Sequence, residues 1–188
     1  SAICEDVRQK LGIPCRILPM SDDPVRTMVD TAEMGTLEFQ QYFVREQCRP
    51  RVTAIRFAGA EKARPLLALA EAVRRPGLAG IIICPSNPYL SVDPILAVPG
   101  MRELLRCAGV PVVAISPIVG GQAIKGPTAK IMGELGLPQD AVAVARHYAG
   151  LIDGFVLDAT DANLQDELDL PVHVADTIMR TLDDKTRL

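Results

Sequence analysis

Leu78-Ala-Gly-Ile-Ile-Ile-Cys84 runs directly into Pro85-Ser-Asn-Pro-Tyr-Leu-Ser-Val-Asp-Pro94. An unbroken apolar run of this length, ended by Pro and Asn, predicts a strand over Ala79–Cys84 that is buried on both faces, as in a parallel sheet. Val110–Ile115 repeats the pattern and also ends in a polar, proline-bearing loop, Ser116-Pro-Ile-Val-Gly-Gly121. Gly154–Asp158 reads as a third such strand and Val172–Val174 as a weaker fourth, followed by a terminal helix from Asp176.

Helical-period segments lie between these runs. Pro94–Val98 and Met101–Ala108 read as short helices, and Glu61–Arg74 as a longer one with Pro65 in its first turn. The stretch from Ser116 to Asp153 is too long for one crossover helix. Two helices, Thr128–Leu135 and Gln139–Tyr148, fit it, giving a helical insertion over 117–153. Towards the start, Ile3–Leu11 reads as a helix stopped by Gly12, and Arg16–Pro19 as a strand. Pro24–Thr31 and Arg51–Phe57 alternate with period two and are expected to pair antiparallel. Leu37–Glu46 between them looks helical and carries Phe39, Tyr42 and Phe43, which are most simply core. The expected fold is one α/β domain over residues 1–188: an open, mostly parallel, Rossmann-like sheet with helices on both faces, an antiparallel edge pair and a small helical subdomain.

Composition narrows the class of function. With 188 residues and 48% hydrophobic content, the chain can bury one sizeable core. A net charge of -3 without long runs of one sign points away from nucleic-acid and membrane surfaces. No apolar run is long enough to span a bilayer and no charged-then-apolar signal opens the chain. Five cysteines without close pairs, and only two histidines, argue against zinc. Most of the thiols sit in apolar stretches and are expected to be buried in a protein of a reducing, cytoplasmic compartment.

Ligands of open parallel sheets bind outside the carboxyl ends of the strands, which places the two polar loops where chemistry is expected. Ser86 and Asn87, held between Pro85 and Pro88, suit a base edge or a phosphate oxygen. Ser91 or Asp93 could cap a helix whose N-terminus favours an anion. Gly120 and Gly121 would let backbone N–H groups approach a phosphate, and Lys125 would add charge. Asp22 and Asp23 form a carboxylate pair able to hold magnesium, or equally an Asx turn before Pro24. Asp158 and Asp161 read as helix-capping residues, and His147 as a surface histidine at a helix end. A dinucleotide fingerprint, a P-loop and a nucleophile elbow are all absent from the sequence.

Cys84–Gly100 closely resembles the signature of the 2-phospho-L-lactate transferase family of deazaflavin-coenzyme biosynthesis. Val113–Gly126, Leu18–Thr27, Phe39–Arg45 and Val174–Met179 match further blocks in the same order. The resemblance implies transfer of a phospholactyl-type group (phospholactate, phosphoenolpyruvate or phosphoglycerate) from a guanosine diphosphate-linked donor to the deazaflavin alcohol Fo. GMP leaves and Mg2+ assists. It further implies Ser86, Asn87, Pro88 and Ser91 as donor-nucleotide contacts and Ser116, Gly120 and Gly121 as a second substrate wall. Asp22 and Asp23 are then metal or supporting residues, and Lys125 with the following helices closes over substrate. The family's glycine-rich strand–loop–helix has no counterpart before Ser21, so the chain is expected to be the C-terminal part of the enzyme and inactive alone. The bare sheet edge that this leaves would favour a homodimer. Two alternatives stand beside this reading: a sugar-nucleotide-binding regulator of a related family, and an inactive folded fragment.

Overall fold

A computed structural model describes the backbone of residues 1–187 and the side chains through Thr186. In chain order the elements are α1 (Ala2–Lys10), β1 (Arg26–Thr31), β2 (Gly35–Glu38), β3 (Val52–Ala58), α2 (Leu67–Val73), β4 (Ile81–Ile83), α3 (Asp93–Leu96) and α4 (Met101–Arg106). They continue with β5 (Val112–Ile115), β6 (Ile118–Val119), β7 (Gln122–Ala123), α5 (Thr128–Glu134), α6 (Ala141–His147), β8 (Gly154–Asp158), β9 (Val172–Ala175) and α7 (Leu182–Arg187).

The central sheet has the order β4-β5-β8-β9 and is parallel throughout. Val112, Ala114, Phe155 and Leu157 are almost wholly buried in it. A second sheet, β2-β1-β3, is antiparallel, so the expected pairing of β1 with β3 is present and β2 extends it. Glu134 on α5 accepts the Val52 N–H at 2.9 Å, and Lys130 donates to the Pro50 carbonyl at 3.0 Å, which pins β3 against the helical insertion. The main core joins both sheets to α5 and α6, and a smaller one gathers Val73, Val98, Met101 and Leu104 under α2 and α4. Among the described residues no helix is long and apolar enough to cross a membrane.

Several expectations are corrected. Ala79–Cys84 is a strand only over Ile81–Ile83, and it is not buried on both faces. It forms the sheet edge; Ile81 and Ile83 pack inward while Ile82 is 67% exposed. Arg16–Pro19 makes no ladder among the described residues, and Pro19 has no N–H to give one. The helix expected over Glu61–Arg74 begins only at Leu67. Pro65 drives the preceding residues extended, and the Leu66 N–H bonds across to the Met20 carbonyl. In Leu37–Glu46 the first two residues belong to β2, and the expected helix is present over 39–45, ending in the wide turn Gln41–Arg45, with Tyr42 fully buried. The C-terminal helix starts at Leu182 rather than Asp176, because Thr181 and Asp184 exchange the bonds that cap it there. The cysteines are free but not buried: Cys15, Cys84 and Cys107 are exposed, and Cys4 and Cys48 half-buried.

Candidate functional site

At the carboxyl ends of β4, β5 and β9 a cavity of about 250 Å³ opens between Pro85 and Asn87, the loop Ser116–Val119, the segment Ile124–Thr128, and Thr177–Met179. Three elements shape it. The turn after β4 is wound by Asn87, whose Oδ1 accepts the N–H groups of Tyr89 and Leu90, both at 3.0 Å. Pro88 sits at the first position of the wide turn Pro88–Val92, where its missing N–H costs nothing. With Oδ1 committed, the other end of the amide faces the interior, and Nδ2 is buried without a partner among the described residues. An unpaired buried donor is expensive to keep, about 1–3 kcal/mol, unless a ligand acceptor meets it.

Ser116, 2% exposed, closes its own tight turn: its hydroxyl donates to the Ile118 carbonyl at 2.8 Å and accepts the Ile118 N–H at 3.1 Å. Its proton is spent on the backbone, so it can offer the cavity only an acceptor. Beyond it, β6 and β7 form a short hairpin whose two connecting residues are Gly120 and Gly121, both at positive φ (57° and 74°). Such a two-residue turn is the reason for glycine here. The Gly120 N–H is taken by both carboxylate oxygens of Asp161, at 3.0 and 3.1 Å, and is therefore committed.

The third wall hangs from β8. Asp158, 3% exposed, accepts the Thr160 N–H on Oδ1, and on Oδ2 both the N–H and the hydroxyl of Thr177, at 2.9 and 2.8 Å. Burial pushes this carboxyl up, but the donors of Thr160 and Thr177 outweigh it and hold its pKa below the ordinary carboxylate value.

Of the residues expected from sequence, Asn87, Ser116 and Lys125 line the cavity. Lys125 makes no ion pair among the described residues, and nearby Thr128 is buried. Pro88 is buried behind Asn87; Ser86 and Ser91 are not among the lining residues, and neither are Gly120 and Gly121. Ser91 and Asp93 cap nothing with their side chains; Asn87 is the cap. Asp93 instead meets His147 Nε2 at 2.8 Å, and the His147 ring packs edge-on against Tyr89 and Tyr148. His147 therefore braces the wide turn from behind and is only partly exposed.

Asp22 and Asp23 lie apart from the cavity. Asp22 pairs with the Ser1 amino terminus, and Asp23 accepts the Arg64 N–H at 2.9 Å. Among the described residues no group of three or more His, Cys, Asp or Glu converges as a metal cluster. The lining residues missed in the sequence are chiefly Thr177, Ile178 and Met179, and Asp158 behind them. A Thr just past a strand end was the available signal, but its partner lies 19 residues away.

Comparison with known proteins supplies the setting. The chain is 41% identical, over 90% of its length, to a phosphoenolpyruvate transferase from Streptomyces griseus, of which it covers 54%. It is 33% identical, over its whole length, to a 2-phospho-L-lactate transferase from Methanocaldococcus jannaschii, of which it covers 60%. The chain thus spans little more than half the length of these relatives. Two crystal structures of a UPF0052-family protein from Bacillus halodurans share the fold, with TM-scores of 0.61 and 0.65 over 97% of this chain and 63% of theirs, at 14% identity. Residues 1–181 match the family described as 2-phospho-L-lactate transferase CofD, and the chain belongs to that family.

Proposed function

We propose that the cavity holds the guanine end of a guanosine diphosphate-linked donor, and that the protein moves a phospholactyl-type group from it to the deazaflavin alcohol Fo. The carrying observation is the hydrogen-bond inventory of the lining. Asn87, a lining residue, has only its buried Nδ2 donor unspent, whereas Ser116 and Thr177 have committed their protons and have only acceptors left. Guanine has the complementary edge, one carbonyl acceptor beside two N–H donors. Adenine lacks the carbonyl, and uracil offers two acceptors around one donor. A cavity of about 250 Å³ suits a base rather than a whole donor. Lys125 is placed to meet charge beyond it.

In the reaction so proposed, the acceptor hydroxyl attacks the phosphorus that carries the acyl oxygen. The bridge to the guanosine phosphate breaks, GMP leaves with its electron pair, and the hydroxyl proton is lost to solvent or base. Such transfer depends on alignment and charge neutralisation more than on a protein nucleophile. Lysine and amide donors serve the charge; fixed turns serve the alignment. The isolated Asp22 and Asp23 do not make a magnesium cluster by themselves. We assign any magnesium to the donor's phosphates, with which it commonly enters such sites. Turnover belongs, in this reading, to the longer polypeptide seen in the relatives, and the present chain to donor binding.

Thermal unfolding with GDP, ADP or a UDP-sugar, each with magnesium, tests the reading, since a ligand of the native state raises Tm. GDP is expected to give the largest rise. A larger rise with the UDP-sugar would favour a sugar-nucleotide-binding protein. No rise with GDP in folded protein would overturn the donor-site reading.

A further inference from the structure

The polarity of Thr177 is not its own choice. A threonine hydroxyl can donate or accept, and a cavity lined by free hydroxyls discriminates poorly between bases. Here the Thr177 hydroxyl sits 2.8 Å from Asp158 Oδ2, an ionised carboxylate that can only accept. The same oxygen takes the Thr177 N–H at 2.9 Å, and the other takes the Thr160 N–H at 2.9 Å, so main chain and side chain of Thr177 are fixed together. Asp158 is 3% and Thr177 9% exposed, which leaves little room for water to offer the hydroxyl another partner.

We infer that Asp158, outside the cavity, is the residue that sets its base preference: by taking the Thr177 proton it forces Thr177 to present a lone pair, which only a ligand N–H or O–H donor can satisfy. Asp158 touches no ligand and is a positioning residue acting through Thr177. This inference rests on the donor-site reading above and adds the origin of its selectivity. It assigns to Asp158 more than the capping of the turn that follows β8.

The test measures dissociation constants of GDP, IDP and ADP by calorimetry for the unaltered chain and for Thr177→Ser, Thr177→Val and Asp158→Asn. IDP lacks the exocyclic amino group of GDP and reports on that donor alone. Thr177→Val keeps the branched shape and removes the acceptor. It should weaken GDP roughly tenfold to a hundredfold, the usual consequence of stranding a ligand donor, and leave ADP within about twofold, so the GDP-to-ADP preference collapses. Thr177→Ser should restore the preference. Asp158→Asn should weaken it, because the amide keeps one oxygen for Thr177 or Thr160 and turns an NH2 on the other; a preference unchanged in folded Asp158→Asn overturns the role of Asp158. A merely structural role would lower all three nucleotides in parallel. If Asp158→Asn does not fold, Asp158→Glu, which keeps the carboxylate and moves it by one methylene, takes its place, and a GDP preference unchanged there overturns the role of Asp158. A GDP preference that survives Thr177→Val overturns this inference and leaves the donor site standing. Failure of the unaltered chain to bind GDP removes the donor site, and this inference with it.

Discussion

Replacing Asn87 by Asp separates the two jobs of that side chain. Its Oδ1 winds the turn after β4 through two bonds of 3.0 Å, and Asp caps as well as Asn does. With the new carboxyl protonated, stability should therefore change by no more than about 1 kcal/mol, or roughly 2–4 °C in Tm for a domain of this size; at neutral pH about 1.4 kcal/mol more is lost for each unit by which burial raises its pKa. Its Nδ2, buried and unpartnered, is replaced by an oxygen. A ligand carbonyl that met a donor would then meet an acceptor, at a loss of about 1–3 kcal/mol, or roughly tenfold to a hundredfold in GDP affinity. The substitution also carries a pH signature. The new carboxyl oxygen inherits a buried position without a donor, which raises its pKa. Protonation makes it an O–H donor, so GDP affinity should recover as pH falls from neutral to mildly acidic. Calorimetry at the two pH values, beside a thermal melt, reads both quantities. Unchanged GDP affinity at neutral pH, in protein that remains folded, would refute the assignment of Nδ2 to a ligand.

The core and the sheet edge make opposite predictions. Phe155→Ala, at a residue 1% exposed, should cost about 3–5 kcal/mol, whereas Ile82→Thr on the open face of β4 should stay within about 0.5 kcal/mol; urea melts measure both. Asp161→Ala strips the Gly120 N–H of its charged acceptor and should cost about 1.5–3 kcal/mol, with amide exchange at Gly120 rising more than at Val112 in the central sheet. Because Asp158 has a lowered pKa when folded, its contribution is present above the unfolded carboxylate pKa and is lost as pH falls through the folded one. Melts from neutral pH down to about pH 3 should fall less steeply for Asp158→Asn than for the unaltered chain, and parallel curves would contradict the role.

The strands of the central sheet could be read from the sequence because β-branched apolar runs are closed by Pro, Asn and Gly. Their loops, at the carboxyl ends of the strands, border the cavity. Other features depended on contacts that no local period reveals. Asp158 meets Thr177 across 19 residues, Asp161 meets Gly120 across 41, and His147 meets Asp93 across 54. The β6–β7 hairpin is two residues deep and has no periodicity to find. Pro65 was read as tolerated in a helix, but its effect on the residue before it, with the Leu66 bond to Met20, put the start at Leu67 instead. Ile82 has the composition of a buried strand residue, and its exposure follows from a neighbour count that composition cannot convey. Gly120 and Gly121 show how one pattern serves two purposes: glycine pairs cradle phosphates and also make tight hairpins, and here the hairpin and Asp161 account for them.

The central claim is that Asn87 Nδ2 meets the base of a guanosine-linked donor, and the side-chain amide resonance of Asn87 reports on that contact directly. Titration of the isotopically labelled chain with GDP should shift this NH2 pair saturably, together with the backbone amides of Ser116 and Thr177, and ADP should shift it far less. GDP-induced changes confined to other surfaces, with the Asn87 amide unmoved, would contradict the account.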